Sequence, residues 1–328
     1  MNVHEVAGIR LPGFPEVVAA AGRLAPHLAR TPVVSSARFD ARVGRRVFLK
    51  CENLQHGGAF KFRGAMNAVL QLPPDVATVA THSSGNHGAA LALAARLRGL
   101  RCVVVAPSDA SAVKLTAIRE AGGEVISCSP GLAAREAALT ALLARSPAHV
   151  VHPFDDARVI AGQGTAALEL LAEAPTLDVL TVPVGGGGLL GGTALAAVGA
   201  APACRVVAVE PALADDAWRS FRSGTRESVE GSPATIADGL RGSIGVLNFA
   251  LLRRHVHDVI TVTEAEIVHA MRVVLEDFRL LVEPSSAVPL AALLGGRIGA
   301  PGQAIGVIVS GGNVDLGACP FLAGQRAG

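Results

Sequence analysis

VLTVPVGGGGLLGGTALAAVGAAPAC, residues 179–204, has no ionisable side chain before its last cysteine and exceeds the ~20 residues a transmembrane helix needs. Yet it holds Pro183, Pro202 and seven glycines, four of them consecutive at Gly185–Gly188, so it makes a poor continuous helix in lipid. Divided at those glycines it reads as a short β-branched strand, a turn with bare backbone, and a small-residue helix from Leu189 to Ala200. Strand, turn and helix in that order form one step of an α/β protein.

The rest of the chain repeats the step. Apolar and β-rich runs predict strands at 47–50, 76–81, 102–106, 124–128, 149–152, 179–184, 205–210, 259–262 and 305–310, and helical periodicity predicts helices at 86–98, 111–121, 132–145, 157–172, 264–279 and 285–294. Unbroken runs such as CVVVA (102–106) and IGVIVS (305–310) point to burial on both faces, as in a parallel sheet covered by helices. In such sheets a ligand sits beyond the carboxyl ends of the strands. Four of those ends are unusual: HSSGNHG follows Thr81, GGGGLLGG follows Val184, PALADD follows Glu210 and SGGNVD follows Val309.

Composition narrows the function. Of 328 residues 50% are apolar, 17% charged and 3% aromatic, with no Tyr, one Trp and a net charge of +2, which argues against a nucleic-acid surface. Five cysteines (Cys51, Cys102, Cys128, Cys204, Cys319) form no CxxC pair, and the start of the chain lacks a signal peptide's apolar core. A cytoplasmic protein with reduced, buried thiols is expected, with neither membrane nor nucleic acid as partner. The length allows two domains, or one α/β unit with an inserted lobe.

The tetraglycine leaves successive N–H groups free to converge on an anion, with a helix N-terminus behind them: a phosphate cradle. It is neither a GxGxxG nor a GxxxxGK[ST] motif, so dinucleotide and P-loop readings lose support. Lys61, in GGAFKFRGAMNAV, lies between Phe60 and Phe62. Desolvation by two aromatics lowers a lysine's pKa, as an imine-forming amine requires. A snorkelling lysine at a helix start is the plainer alternative. Cradle and shielded lysine together point to pyridoxal 5'-phosphate, whose aldehyde takes the lysine and whose phosphate takes the glycines.

Taken in order, ENLQHGGAFKFRGA (52–65), SSGNHG (83–88), AGQGT (161–165), GGGGLLGG, VEPALADD (209–216), ATIADGL (234–240) and SGGNVDL (310–316) resemble the fold type II pyridoxal phosphate enzymes of the serine/threonine dehydratase and serine racemase group. The resemblance runs from about Arg30 to Leu316. It implies a tryptophan synthase β-like α/β fold, with two open, twisted, mostly parallel sheets flanked by helices. A large cofactor-binding domain would span 1–70 and 152–328, with a small domain at 71–151. A homodimer is implied too.

By the same resemblance Lys61 binds the cofactor and removes the substrate Cα proton, with Phe60 beside it. Asn86 bonds the cofactor's phenolic oxygen, Gly185, Gly186, Gly187 and Gly188 hold its phosphate, and Ser310 meets its ring nitrogen. Glu283 is a further cofactor neighbour, and as a buried carboxylate it needs a partner. Ser83, Ser84, Gly85 and His87 would present donors to the substrate carboxylate, and Ser84 is also the racemase acid/base position. A simple helix cap formed by Ser84 or Asn86 is compatible with this role. Glu210, Asp216 and the carbonyl of Ala214 match a divalent-cation site, suited to Mg²⁺ or Ca²⁺ with Mn²⁺ as a further option; Asp215 and Asp216 capping a helix is the alternative.

The expected activity is a threonine/serine dehydratase (ammonia-lyase) that eliminates water from a small β-hydroxy amino acid to give a 2-oxo acid and ammonia. Serine racemisation and threo-3-hydroxyaspartate dehydration stand as alternatives on the same scaffold, and a non-catalytic pyridoxal phosphate carrier as a less favoured one. Phe154 in HPFDD and Gly242 depart from the racemase-like pattern, which has polar Asn and Ser there. Arg135 can face the distal end of the substrate in racemase-like members, which makes a hydroxy dicarboxylate attractive, with a solvent-exposed helix arginine as the alternative. Since the chain ends soon after SGGNVDL, feedback through an added regulatory domain is not expected.

Overall fold

The computed structural model describes residues 5–6, 8–83 and 85–321. Ser84 lies outside the described residues.

Two sheets organise the chain. The larger runs in the order Asp258–Val262, Arg205–Pro211, Val179–Pro183, Ala304–Val309, Arg46–Cys51, Val33–Val34, parallel throughout except for its last strand. The smaller is all parallel, in the order Glu124–Cys128, Arg101–Pro107, Thr78–His82, His149–Val150. Its strands all fall within one stretch of sequence.

Alternation explains the unbroken apolar runs. Leu180, Val206, Ala208 and Ile308 enter one hydrophobic cluster, and their neighbours Val179, Val207, Val209 and Val307 enter another on the opposite face. Successive side chains of a strand point to opposite faces, so a strand with helices on both sides has no polar face to show. The small sheet repeats this: Val79, Cys102 and Val104 face one cluster, Ala80 and Val105 the other.

The opening stretch resolves as expected, into the strand Val179–Pro183 and the helix Gly188–Ala200. That helix packs against Ala157–Glu173, where Gly164 meets Gly192 so closely that a Cβ on Gly164 would lie 2.6 Å from the Gly192 carbonyl oxygen. Among the described residues no helix is long and apolar enough to cross a membrane.

Three helices were not anticipated: Phe14–Leu24, Ala37–Val43 and Val246–His255. The strand expected at 149–152 stops at Val150, because the His152 ring accepts the Phe154 and Asp155 N–H groups and turns the chain out of the sheet.

Candidate active site

A cleft enclosing about 1010 Å³ of empty space open to solvent lies beyond the carboxyl ends of both sheets. Three of the four unusual strand ends supply it: Thr78–His82 leads to Ser83, Gly85, Asn86 and His87, Val179–Pro183 to Gly185–Gly188, and Ala304–Val309 to Ser310. Lys61 joins them at the first position of the helix Lys61–Val69.

The Lys61 Nζ donates to the Pro153 carbonyl at 2.9 Å and lies 5.1 Å from the centre of the Phe60 ring. Burial pushes its pKa down to about 8, against the opposing pull of the Glu283 carboxylate. Phe62 does not share in this. Adjacent residues on a helix diverge by about 100° and do not face each other, so Phe62 enters the core under the small sheet, edge-on to His56. One aromatic flanks the amine, not two. The Phe60 backbone N–H donates to the Ser310 carbonyl at 2.9 Å, tying the lysine to the end of the central strand.

The glycine turn is built as a cradle. None of the Gly185–Leu190 N–H groups donates to a protein acceptor among the described residues. Gly187 has φ +86, and a Cβ there would lie 2.7 Å from that of Asn248. A Cβ on Gly186 would run into the Phe154 ring, which covers the turn.

At the SSGNHG turn Ser83, Asn86 and His87 each bond within the protein. The Ser83 hydroxyl accepts from the Gly85 and Gly88 N–H groups, both at 3.1 Å, so Ser83 provides the cap expected of Ser84 or Asn86. The His87 Nε2 reaches the Val151 carbonyl at 3.3 Å, and burial together with nearby Lys61 holds the ring neutral. Only a donor satisfies a carbonyl, which fixes the proton on Nε2 and leaves Nδ1 as an acceptor. The Asn86 and His87 backbone N–H groups make no hydrogen bond among the described residues and are free to meet an anion.

Asn86 donates to both Glu283 oxygens, at 2.8 and 3.1 Å, while its own oxygen accepts from Asn313. Glu283 also faces Lys114 at 3.6 Å, and Lys114 is paired with Asp238 at 2.6 Å. The buried carboxylate thus has the partner it needs. Burial still raises its pKa, with Lys114 opposing. The Ser310 hydroxyl lies 2.9 Å from that of Ser286, which also bonds both polar groups of the Gly311 backbone. Lys114, Asp238 and Ser286 had no place in the sequence reading. Asp238 stands within ATIADGL and Ser286 within LLVEPSSA, so the signal was present but unassigned.

Four cations line the cleft. Lys61 is held by Pro153, Lys114 by Asp238 and Glu283, and Arg241 by two bonds to the Thr235 carbonyl. Among the described residues Arg135 makes one side-chain hydrogen bond, 3.4 Å to the Gly131 carbonyl, and partial burial lowers its pKa. Near it stands His82, a cleft residue whose pKa burial, His152 and Arg135 together push down to about 3. Arg63, close to Lys61 in sequence, points elsewhere: it is fully buried, with two bonds each to Glu52 and Glu169.

The fourth strand end lies outside the cleft. Glu210 accepts from the Ala217 and Trp218 N–H groups, and Asp216 accepts from Ile244 at 2.7 Å. Burial, then Asp216, pushes the Glu210 pKa well up, and burial raises that of Asp216 to about 6. The other Asp216 oxygen is enclosed without a partner, and the Ala214 carbonyl accepts no hydrogen bond among the described residues. Two crowded acids, a spare oxygen and a free carbonyl fit a hard cation. Asp215 stands at the N-cap of the helix, but its side chain pairs with Arg219 at 2.8 Å and makes no capping bond. Among the described residues no group of three or more His, Cys, Asp or Glu gathers, so such a site would depend on the carbonyl.

The lysine, the open cradle and the buried hydroxyl on one cleft fit pyridoxal phosphate. Known proteins agree. The chain is 44% identical over 313 residues to the β-hydroxyaspartate dehydratase of Paracoccus denitrificans, covering 95% of this chain and 99% of that protein. It is 44% identical over 299 residues to the serine racemase of Dictyostelium discoideum, covering 90% and 92%. The solved structure of maize serine racemase superposes with a TM-score of 0.90 at 42% identity, over 93% of this chain and 95% of that one. The family model described as "Pyridoxal-phosphate dependent enzyme" matches residues 24–311, and the chain belongs to that family.

Proposed function

We propose that this enzyme is an ammonia-lyase that removes water from a β-hydroxy α-amino acid, and that its substrate is 3-hydroxyaspartate; the released enamine then takes up water to give oxaloacetate and ammonia. The observation that carries the substrate is Arg135. A half-buried guanidinium with one long hydrogen bond among the described residues is poorly compensated, and a carboxylate on the substrate's Cβ side supplies the bidentate partner it lacks.

Pyridoxal phosphate, when bound, supplies the electron sink that makes the Cα–H bond acidic. The Asn86 and His87 N–H groups receive the α-carboxylate at the start of the helix Asn86–Leu97. Lys61, with a pKa near 8, takes the Cα proton and, once charged, is a general acid inside the same cleft for the departing hydroxide. Phe154, set against the glycine turn, and Leu132 give the cleft an apolar part of its lining.

Dehydration of L-serine or L-threonine is the second reading. It uses the same residues, and the apolar Phe154 beside the cradle favours it. Relatives named for hydroxyaspartate dehydration and for serine racemisation support the competing readings about equally. We further propose the Glu210, Asp216 and Ala214 site as the seat of a structural divalent cation.

The test is a substrate panel of L-serine, L-threonine, D-serine and the threo and erythro 3-hydroxyaspartates. Each 2-oxo acid is assayed, and the recovered amino acid is resolved by chiral chromatography. Oxaloacetate forming fastest is the expected result. Pyruvate from L-serine forming faster overturns the substrate, and D-serine accumulating without 2-oxo acid overturns the lyase.

A further inference from the structure

Asn248 sits on the helix Val246–His255, behind the glycine turn and almost wholly buried. Its Nδ2 donates to two carbonyls at once, Gly186 at 2.8 Å and Phe154 at 2.9 Å. The Gly186 carbonyl accepts a second bond from the Gly245 N–H at 3.1 Å. In a trans peptide the C=O and the following N–H point in opposite directions, and the described residues contain no cis bond. A Gly186 carbonyl anchored on the protein side therefore turns the Gly187 N–H the other way, into the cleft. The next peptide follows the same rule: the Gly187 carbonyl accepts from Gly191 at 2.8 Å, which turns the Gly188 N–H outward.

We infer that Asn248 is a positioning residue for phosphate binding, aiming the Gly187 N–H at the anion and pinning Phe154 over the turn. Asp155 supports it from the other side. Its carboxylate accepts the Val246 and Leu247 N–H groups, both at 2.9 Å, which fixes the start of the helix that carries Asn248. One side chain thereby ties the floor of the cradle to its cover, and the Phe154–Asp155 segment is held at both of its residues.

This inference rests on reading Gly185–Gly188 as the phosphate site, and the experiment separates the two. Holoenzyme is stripped of cofactor and reloaded with pyridoxal phosphate or with pyridoxal, which can react with Lys61 but has no phosphate. Asn248→Leu keeps the volume and loses both donors; Asn248→Thr keeps one hydroxyl; Gly186→Ala drives a methyl into the Phe154 ring that covers the turn and so distorts the cradle. Asn248→Leu is expected to weaken pyridoxal phosphate binding on the order of thirtyfold while leaving pyridoxal within about twofold. Asn248→Thr should fall between, and the ³¹P resonance of the bound phosphate should shift. Equal losses for both ligands would mean general damage and overturn the assignment, as would no loss in either Asn248 variant while Gly186→Ala weakens only the phosphate ester. If Gly186→Ala spares the phosphate ester, the cradle itself is misassigned.

Discussion

Arg135→Met separates substrate recognition from folding. The variant keeps an aliphatic stem of similar length and removes the guanidinium. In the protein alone it loses one contact, 3.4 Å to the Gly131 carbonyl, and that carbonyl still accepts the Arg135 backbone N–H at 3.3 Å. No polar group is orphaned, so folding stability should change by less than about 1 kcal/mol. With a dicarboxylate bound the balance differs. Its distal carboxylate would face the cleft without its counter-charge, and losing one charge-assisted pair costs about 3 kcal/mol, or about a hundredfold in kcat/KM. L-Serine has no distal carboxylate, so its kcat/KM should stay within about threefold. Coupled assays read oxaloacetate with malate dehydrogenase and pyruvate with lactate dehydrogenase, and a melting curve checks the fold. An equal fall for both substrates at unchanged Tm would refute the role of Arg135 as the reader of the distal group.

Further outcomes follow from buried charges. Condensation needs the uncharged Lys61 amine, so the rate of reloading stripped enzyme with pyridoxal phosphate should climb with pH and flatten near 8, not near the ordinary lysine value of 10.5. Glu283→Gln removes the charge that raises this pKa and should move the bend to lower pH. The sign for stability is the same: between about 8 and 10.5 the unfolded chain holds the lysine proton and the folded one does not, so rising pH stabilises the stripped protein across that window. Glu52→Gln removes one of the two carboxylates on Arg63, at a fully enclosed pair, while Glu169 remains, and should destabilise the protein by about 2–3 kcal/mol in urea titration. Mg²⁺, Ca²⁺ or Mn²⁺ added to EDTA-treated protein should raise its Tm, and Glu210→Gln should abolish the rise; identical melting of the unaltered chain with and without cation would remove the metal site.

What could be read from the sequence is what depends on neighbours along the chain. The parallel strands were legible because burial on both faces removes the polar alternation, and the tetraglycine because a strand-to-helix turn with four bare backbones has few other uses. Ala37–Val43 was also readable, with Ser36 accepting the Phe39 N–H and Gly44 at φ +67 closing the helix, but a seven-residue helix leaves too short a period to stand out. Phe62 misled for a local reason: flanking in sequence is not flanking in space once a helix begins at Lys61.

The pairings that decide how the cleft works are instead contacts between distant segments. Lys114 follows a strand of the small sheet and Asp238 lies 124 residues later, yet their pairing removes one cation from the cleft's supply and is what leaves Arg135 distinctive. Asn248 stands inside VLNFALL, where one polar residue among apolar ones reads as a solvent-facing helix position. Its function appears only when the Gly186 and Phe154 carbonyls, from two other segments, converge on the same amide nitrogen. Sequence patterns could identify the groups that do chemistry because those residues carry it in their own side chains or backbone. The groups that aim them are ordinary asparagines, aspartates and serines, and what distinguishes Asn248, Asp155 and Ser286 is the partner that the fold brings to each.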